Sequence, residues 1–122
     1  MSDSIYREDV MDHYENPRNM GEMNAPDMDG KDANASCGDM VQFQIKVSGE
    51  SISDVKWKGI GCAITTAASS KLSEWLIGKE VGKVRELGQE GLLDAIDIEV
   101  NPGRIRCVTL PINVVLDLVR KE

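Results

Sequence analysis

The spacing of hydrophobic positions changes several times along the chain, and each change marks a predicted element. Ile5, Val10, Met11 and Tyr14 predict a short helix from Ile5 to Tyr14. Asn16-Pro17 ends it, because the residue before a proline avoids the α region. Pro17 to Ser36 is rich in Gly, Asn, Asp and Met and shows no apolar period. It predicts an irregular segment of about twenty residues, and loops of that length in small domains are usually functional or mobile. From Gly38 the period is two. Val41, Phe43, Ile45 and Val47 alternate with Gln42, Gln44 and Lys46, which predicts a strand with one buried face. After the turn Ser48-Gly49-Glu50, residues Ile52, Val55, Trp57 and Ile60 predict a second strand, antiparallel because the connection is short. Cys62 to Ile77 predicts a helix with Ile64, Ala67, Ala68, Leu72, Trp75 and Leu76 on one stripe and Gly78 as its stop. Val84, Leu87, Leu92, Leu93 and Ile96 predict one or two short helices over Val81 to Ile96. Ile98 to Ile105, interrupted by Asn101-Pro102-Gly103, is extended or looped. A last helix runs from about Thr109 to Arg120, with Val108, Ile112, Val115, Leu116 and Val119 as its core face and Pro111 in its first turn. Two or three strands followed by helices form an α+β pattern, not a βαβ one.

Composition narrows the class. The 122 residues suit a single domain, 1–122. Hydrophobic residues make up 41% and charged residues 29%, which excludes wholesale disorder, and 4% aromatics means an aliphatic core. A net charge of −7 argues against a general nucleic-acid binder, which needs a basic footprint. No apolar run approaches the ~18 residues of a membrane span. The N-terminus has no basic region leading into an apolar stretch. The expectation is a cytoplasmic protein that engages neither nucleic acid nor membrane.

Candidate chemistry rests on three cysteines. An odd count in a chain expected to be cytoplasmic argues against a disulfide framework. Cys37 precedes the first predicted strand, Cys62 stands between the second strand and the long helix, and Cys107 precedes the last helix. Three of three at element ends predicts loops converging on one site, where function concentrates. Cys62 is at a helix N-terminus, where N–H groups and the macrodipole favour a thiolate. Cys107 follows Arg104 and Arg106, which also favour a thiolate. Gly38 and Gly61 keep the backbone beside the site unobstructed. Asp39, two residues from Cys37, shares its strand face. Three thiolates and one carboxylate supply the four ligands of tetrahedral zinc or of a [2Fe–2S] cluster. The carboxylate oxygen is a harder donor than sulfur and holds a thiolate-preferring centre less firmly, which suits a centre meant to leave. The competing reading is that of buried, inert cysteines, since the chain has no Cys-x-x-Cys spacing. Other features carry less. His13 reads as a helix-surface or packing residue. Asp27-Met28-Asp29-Gly30-Lys31-Asp32 lacks the closing glutamate of a calcium loop. Gly59-Ile60-Gly61 lacks the third glycine of a dinucleotide loop. The methionines read as gap-fillers or a soft contact surface.

Several segments together resemble the IscU/NifU N-terminal family of iron–sulfur cluster assembly scaffolds. They are Tyr6 with Val10-Met11-Asp12-His13-Tyr14-Glu15-Asn16-Pro17-Arg18-Asn19-Met20-Gly21, then Cys37-Gly38-Asp39, Gly61-Cys62-Ala63-Ile64 with Ala68-Ser69-Ser70, and Cys107 with its trailing helix. The resemblance implies a SufE/NifU-like α+β fold, a small and mostly antiparallel sheet of about three strands with helices packed on one side. It implies that Cys37, Cys62 and Cys107 ligate the cluster and that Asp39 keeps it labile. It implies a scaffold and carrier, not an enzyme. Such a protein receives persulfide sulfur from a cysteine desulfurase, collects iron, builds a [2Fe–2S] cluster and passes it to apo iron–sulfur client proteins. The resemblance also implies that zinc often occupies the cluster-free site, and Tyr6 resembles a tyrosine implicated in self-association, which leaves a homodimer of the loaded form open. Cys107 is the candidate first persulfide acceptor, on the strength of its two arginines.

Two departures from the family pattern matter. Arg106 stands where the IscU branch usually has histidine, and arginine stays protonated, so the fourth ligand falls to Asp39. Val100-Asn101-Pro102-Gly103-Arg104 stands where that branch has Leu-Pro-Pro-Val-Lys, so only one proline and the basic character are kept of the segment that a DnaK-type chaperone reads, and chaperone-assisted release stays an open question. The SufU branch shares a basic residue near the third cysteine, but it has an insertion between Cys62 and Cys107 that this chain lacks. Two alternatives stay open: a zinc-dependent persulfide relay of SufU type, and a structural zinc domain that binds partners.

Overall fold

The computed structural model describes residues 2–34, 38–98 and 102–121. Cys37, Val100 and Asn101 lie outside the described residues, as do the side chains of residues 2–7, Tyr6 among them. The elements in chain order are α1 (Ser2–Glu15), β1 (Met28–Asn34), β2 (Asp39–Ser48), β3 (Ser51–Ile60), α2 (Ala63–Leu76), α3 (Val81–Ile96), a 3₁₀ turn (Pro102–Arg104) and α4 (Ile105–Arg120). The three strands form one antiparallel sheet in the order β1-β2-β3. This is the expected α+β class.

The alternating run of β2 behaves as its pattern predicts. Val41, Phe43 and Ile45 are fully buried, and across the ladder Phe43 faces Trp57 and Ile45 faces Val55. The second strand does not keep strict alternation. Ile52 and Val55 are both buried although three residues apart, because a register shift opposite Lys46 and Val47 absorbs one residue. Beyond Trp57 the phase carries Ile60 off the core face. Ile60 is 70% exposed opposite exposed Met40, against its expected place on the buried stripe.

β1 corrects the expectation of an irregular segment from Pro17 to Ser36. Of its seven residues only Met28 is buried, so it carries no hydrophobic alternation to read. Main-chain pairing with β2 makes it a strand, from Met28 opposite Ile45 to Asn34 opposite Asp39. Leu118 of α4 packs directly over Gly30, where a Cβ would lie 2.7 Å from Leu118 Cδ2 and that side chain would have to shift. The stretch from Asn16 to Asp27 stays irregular. It also covers the free edge of β3: Trp57 donates its N–H to Asn19 O at 3.0 Å and accepts from Gly21 N–H at 2.9 Å.

The helices complete the core. α4 packs on β1 and β2, α2 packs on β3 and α4, and α3 packs on α4 and α2. α2 buries Ala67, Ala68, Leu72 and Leu76, with Ile64 and Trp75 partly buried. Gly78, at φ +92°, turns the chain after it and donates its N–H to Ile52 O. α3 is two helical pieces joined at Gly88, φ +66°. α4 starts at Ile105, four residues before the expected Thr109, and is buried on most of its circumference, Leu110, Val114 and Leu118 included. Pro111 therefore lies in its second turn. Having no N–H, it leaves the carbonyl of Cys107 without the usual helical donor. Among the described residues no helix is long and apolar enough to cross a membrane.

α1 docks on α2 through polar contacts, with Met11 and Tyr14 half-exposed and Val10 packed on the core. His13 is buried and its Nδ1 lies 2.7 Å from Ser70 Oγ, which also accepts the Arg18 N–H at 2.9 Å. Lys71 pairs with Asp9. Trp57 Nε1 donates to Arg18 O at 2.8 Å. His13 is thus a packing residue, as expected. Burial, joined by the Arg18 charge, holds the His13 imidazole below its ordinary 6.5, against a smaller opposing pull from Asp9 and Glu74. A base with a depressed folded pKa contributes stability that is complete above 6.5 and is lost as pH falls through 6.5 toward the folded value. Urea midpoints measured across that range should fall for the wild type and fall less for His13→Gln.

Candidate metal centre

Three described side chains from three elements meet at one corner of the molecule. Asp39 opens β2, Cys62 caps the N-terminus of α2, and Cys107 is in the first turn of α4. One ligand atom from each, the two sulfurs and a carboxylate oxygen, lies within 4.8 Å of the other two. The sulfurs of Cys62 and Cys107 are 3.3 Å apart, within hydrogen-bond distance, and both thiols are free. Asp39 is 4% exposed, Cys107 is 7% exposed and Cys62 is partly open to solvent. Two soft sulfurs and one oxygen facing a common point are a donor set for zinc or for the iron of a cluster. Cys37, the fourth expected ligand, lies outside the described residues.

The convergence follows from local structure. β3 returns antiparallel to β2 with Met40 opposite Ile60, so the start of one strand and the end of the other are neighbours. Asp39 and the Gly61-Cys62 junction then flank that pair. Gly61 is needed for close approach: a Cβ there would stand 2.9 Å from Asp39 Cγ, 3.0 Å from Asp39 Oδ1 and 3.2 Å from Thr65 Cβ.

Sequence reasoning missed Thr65. It is 2% exposed, its hydroxyl donates to Asp39 Oδ2 at 2.6 Å, and its Oγ1 is 3.5 Å from Cys62 Sγ. The available signal was its position. A residue three beyond an N-cap projects back toward that cap.

The two thiols titrate in opposite directions. Burial pushes the Cys62 thiol up, but the Thr65 hydroxyl and N–H, the Cys107 thiol and the Ile64 N–H together bring it below its ordinary 9.0. Burial pushes Cys107 above 9.0. Sharing its proton with Cys62 and the nearby negative charges of Cys62 and Asp39 push it further, against a smaller opposing effect of Thr65. The first proton therefore leaves Cys62. The expectation that Arg104 and Arg106 favour a Cys107 thiolate is not met, because both arginines are exposed while Cys107 is buried against an anion.

A family model, the NifU-like N-terminal domain, matches residues 5–119. The chain is 32% identical to the zinc-dependent sulfurtransferase SufU of Bacillus subtilis, over 88% of this chain and 84% of that one. It is 36% identical to the iron–sulfur cluster assembly scaffold protein IscU of Escherichia coli, over 86% of this chain and 84% of that one. A crystal structure from Fervidobacterium islandicum, described as an iron–sulfur cluster assembly scaffold of a SUF system, superposes with a TM-score of 0.78 at 27% identity, covering 98% of this chain and 99% of that one. The chain belongs to the NifU-like N-terminal domain family.

Gly61→Ala should displace the Asp39 carboxylate and weaken zinc binding on the order of tenfold, the usual cost of disturbing the support of a metal ligand. Competition against a chromophoric chelator measures it, and unchanged affinity would contradict the geometry. In metal-free protein at neutral pH, iodoacetamide should modify Cys62 before Cys107, as read by peptide mass mapping.

Proposed function

We propose that this protein is a scaffold on which an iron–sulfur cluster is built and from which it is passed to apo-proteins. The observation that carries the reading is the meeting of Cys62, Cys107 and Asp39 at one corner of a NifU-type fold. The cluster is cargo, so the site must hold it with thiolates and still release it. Cys37, Cys62 and Cys107 are the thiolate ligands in this reading, and Asp39 is the oxygen ligand at which the centre opens. The whole chain, 1–122, acts as one scaffold domain in the cytoplasm. Its partners are a cysteine desulfurase and the apo-proteins that take the cluster, and the loaded form is a homodimer.

Sulfur arrives as persulfide. The acceptor thiolate attacks the outer sulfur of the desulfurase Cys–S–SH, a new S–S bond forms on the acceptor, and the desulfurase cysteine leaves as its thiolate. Both Cys62 and Cys107 can play the acceptor. The lowered thiol pKa and greater exposure of Cys62 favour it over Cys107 for the first attack.

A second reading is a zinc-dependent persulfide relay, favoured by the likeness to a sulfurtransferase named for zinc dependence. The same four residues would then hold Zn²⁺, which would organise the thiolates and lower their pKa.

Anaerobic reconstitution with ferrous iron and sulfide separates the readings. The scaffold reading expects the absorption and Mössbauer signature of a [2Fe–2S] cluster, with cluster content falling on the order of tenfold or more in Cys62→Ser and in Cys107→Ser. A wild type that takes up no cluster, and loses desulfurase stimulation when zinc is removed, would overturn it in favour of the relay.

A further inference from the structure

Thr65 sits between two of the groups assigned to the metal centre and belongs to neither. A threonine hydroxyl has one proton to donate and lone pairs to accept with. Here the proton goes to Asp39 Oδ2, at the 2.6 Å of a charge-assisted bond, while the oxygen stays 3.5 Å from Cys62 Sγ. Asp39 and Thr65 are both buried, so water does not readily replace that donor. The arrangement is held from two sides. Thr65 is fixed in the first turn of α2, and the missing side chain at Gly61 leaves room for Asp39 Cγ and Thr65 Cβ, which would stand 2.9 Å and 3.2 Å from a Cβ there, closer than ordinary contact.

A buried carboxylate that already has a donor gains less from a cation than one without. A metal ion taking Oδ2 must displace the hydroxyl. An ion taking Oδ1 binds a carboxylate whose charge is partly drawn off through the other oxygen. Either way the hydroxyl opposes the oxygen–metal bond, while its 3.5 Å contact with Cys62 is the weaker of its two. We propose that Thr65 is a positioning residue that competes with a bound metal ion for the Asp39 carboxylate and so sets how readily the centre lets go of the ion. This rests on the reading of Asp39, Cys62 and Cys107 as ligands.

The test compares wild type with Thr65→Val, which keeps the shape and removes the hydroxyl, and with Thr65→Ser, which restores it. Thr65→Ala carries the comparison if the valine variant does not fold. Zn²⁺ is the first probe, with affinity read by chelator competition and release read by stopped flow. Co²⁺ is the second, read by its thiolate charge-transfer and d–d bands. Thr65→Val should bind zinc about tenfold more tightly and release it about tenfold more slowly, the scale of one hydrogen bond to a charged group. Thr65→Ser should return to within about twofold of wild type. The thiolate charge-transfer intensity per cobalt should be unchanged, with only the d–d envelope shifted. Equal or weaker zinc binding in Thr65→Val, no rescue by serine, or a loss of thiolate intensity would overturn the proposal, the last by making Thr65 a support for Cys62. A wild type showing no thiolate–cobalt bands would instead overturn the metal centre itself.

Discussion

The antiparallel pairing of β2 with β3 is the constraint on which the corner site depends. Because the two strands run in opposite directions with Met40 opposite Ile60, the first residue of one and the last of the other are held side by side. The chain leaving β3 must then pass Asp39 before it enters α2. Glycine at 61 permits that passage, and the helix starting immediately afterwards brings Cys62 and the Thr65 hydroxyl to the carboxylate. α4, packed across β1 and β2 and against α2, delivers Cys107 from the other direction. A sheet of three strands is small, but its register fixes Asp39 and the point from which the chain enters α2.

Electrostatics at the corner follow from crowding anionic groups at the edge of an apolar core. Two thiols and a carboxylate within 4.8 Å cannot all be anions at little cost in a partly buried setting. In the metal-free protein the tension is divided among protons. Thr65 donates a hydrogen bond to Asp39, and Cys107 keeps its proton while Cys62 loses one more readily. A cation satisfies all three groups at once, which gives such a cluster a reason to bind one. The partners that the three described groups already have among themselves and in Thr65 would limit how firmly a cation could be held.

α1 shows a different economy. Among its described apolar side chains, Val10 packs on the core while Met11 and Tyr14 are half-exposed. It is tied down by His13 on Ser70, Asp9 with Lys71, and the Asn16–Asp27 segment that follows it along β3. Docking by hydrogen bonds and ion pairs makes that layer more responsive to pH than the aliphatic core beneath it.

Periodicity located β2, α2 and the broad α+β class, because those elements bury one face and leave the other to solvent. Cysteines at element ends, with Asp39 beside one of them, marked the corner. The same logic could not find β1, whose polar residues are held by main-chain bonds to β2, nor the true phase at Ile60, which depends on a register shift. It started α4 too late by reading Pro111 as a first-turn residue, although the exposed stripe of Asn113, Asp117 and Arg120 extends back to Arg106 in the first turn. It also gave Cys107 the wrong charge environment. The arginines adjacent in sequence are exposed in the fold, while a thiol and a carboxylate distant along the chain are near neighbours. The residue types and their order determined which chemistry was possible. Only the tertiary structure decided which groups share a proton, because hydrogen bonds and burial act over a few ångströms of space and take no account of distance along the chain.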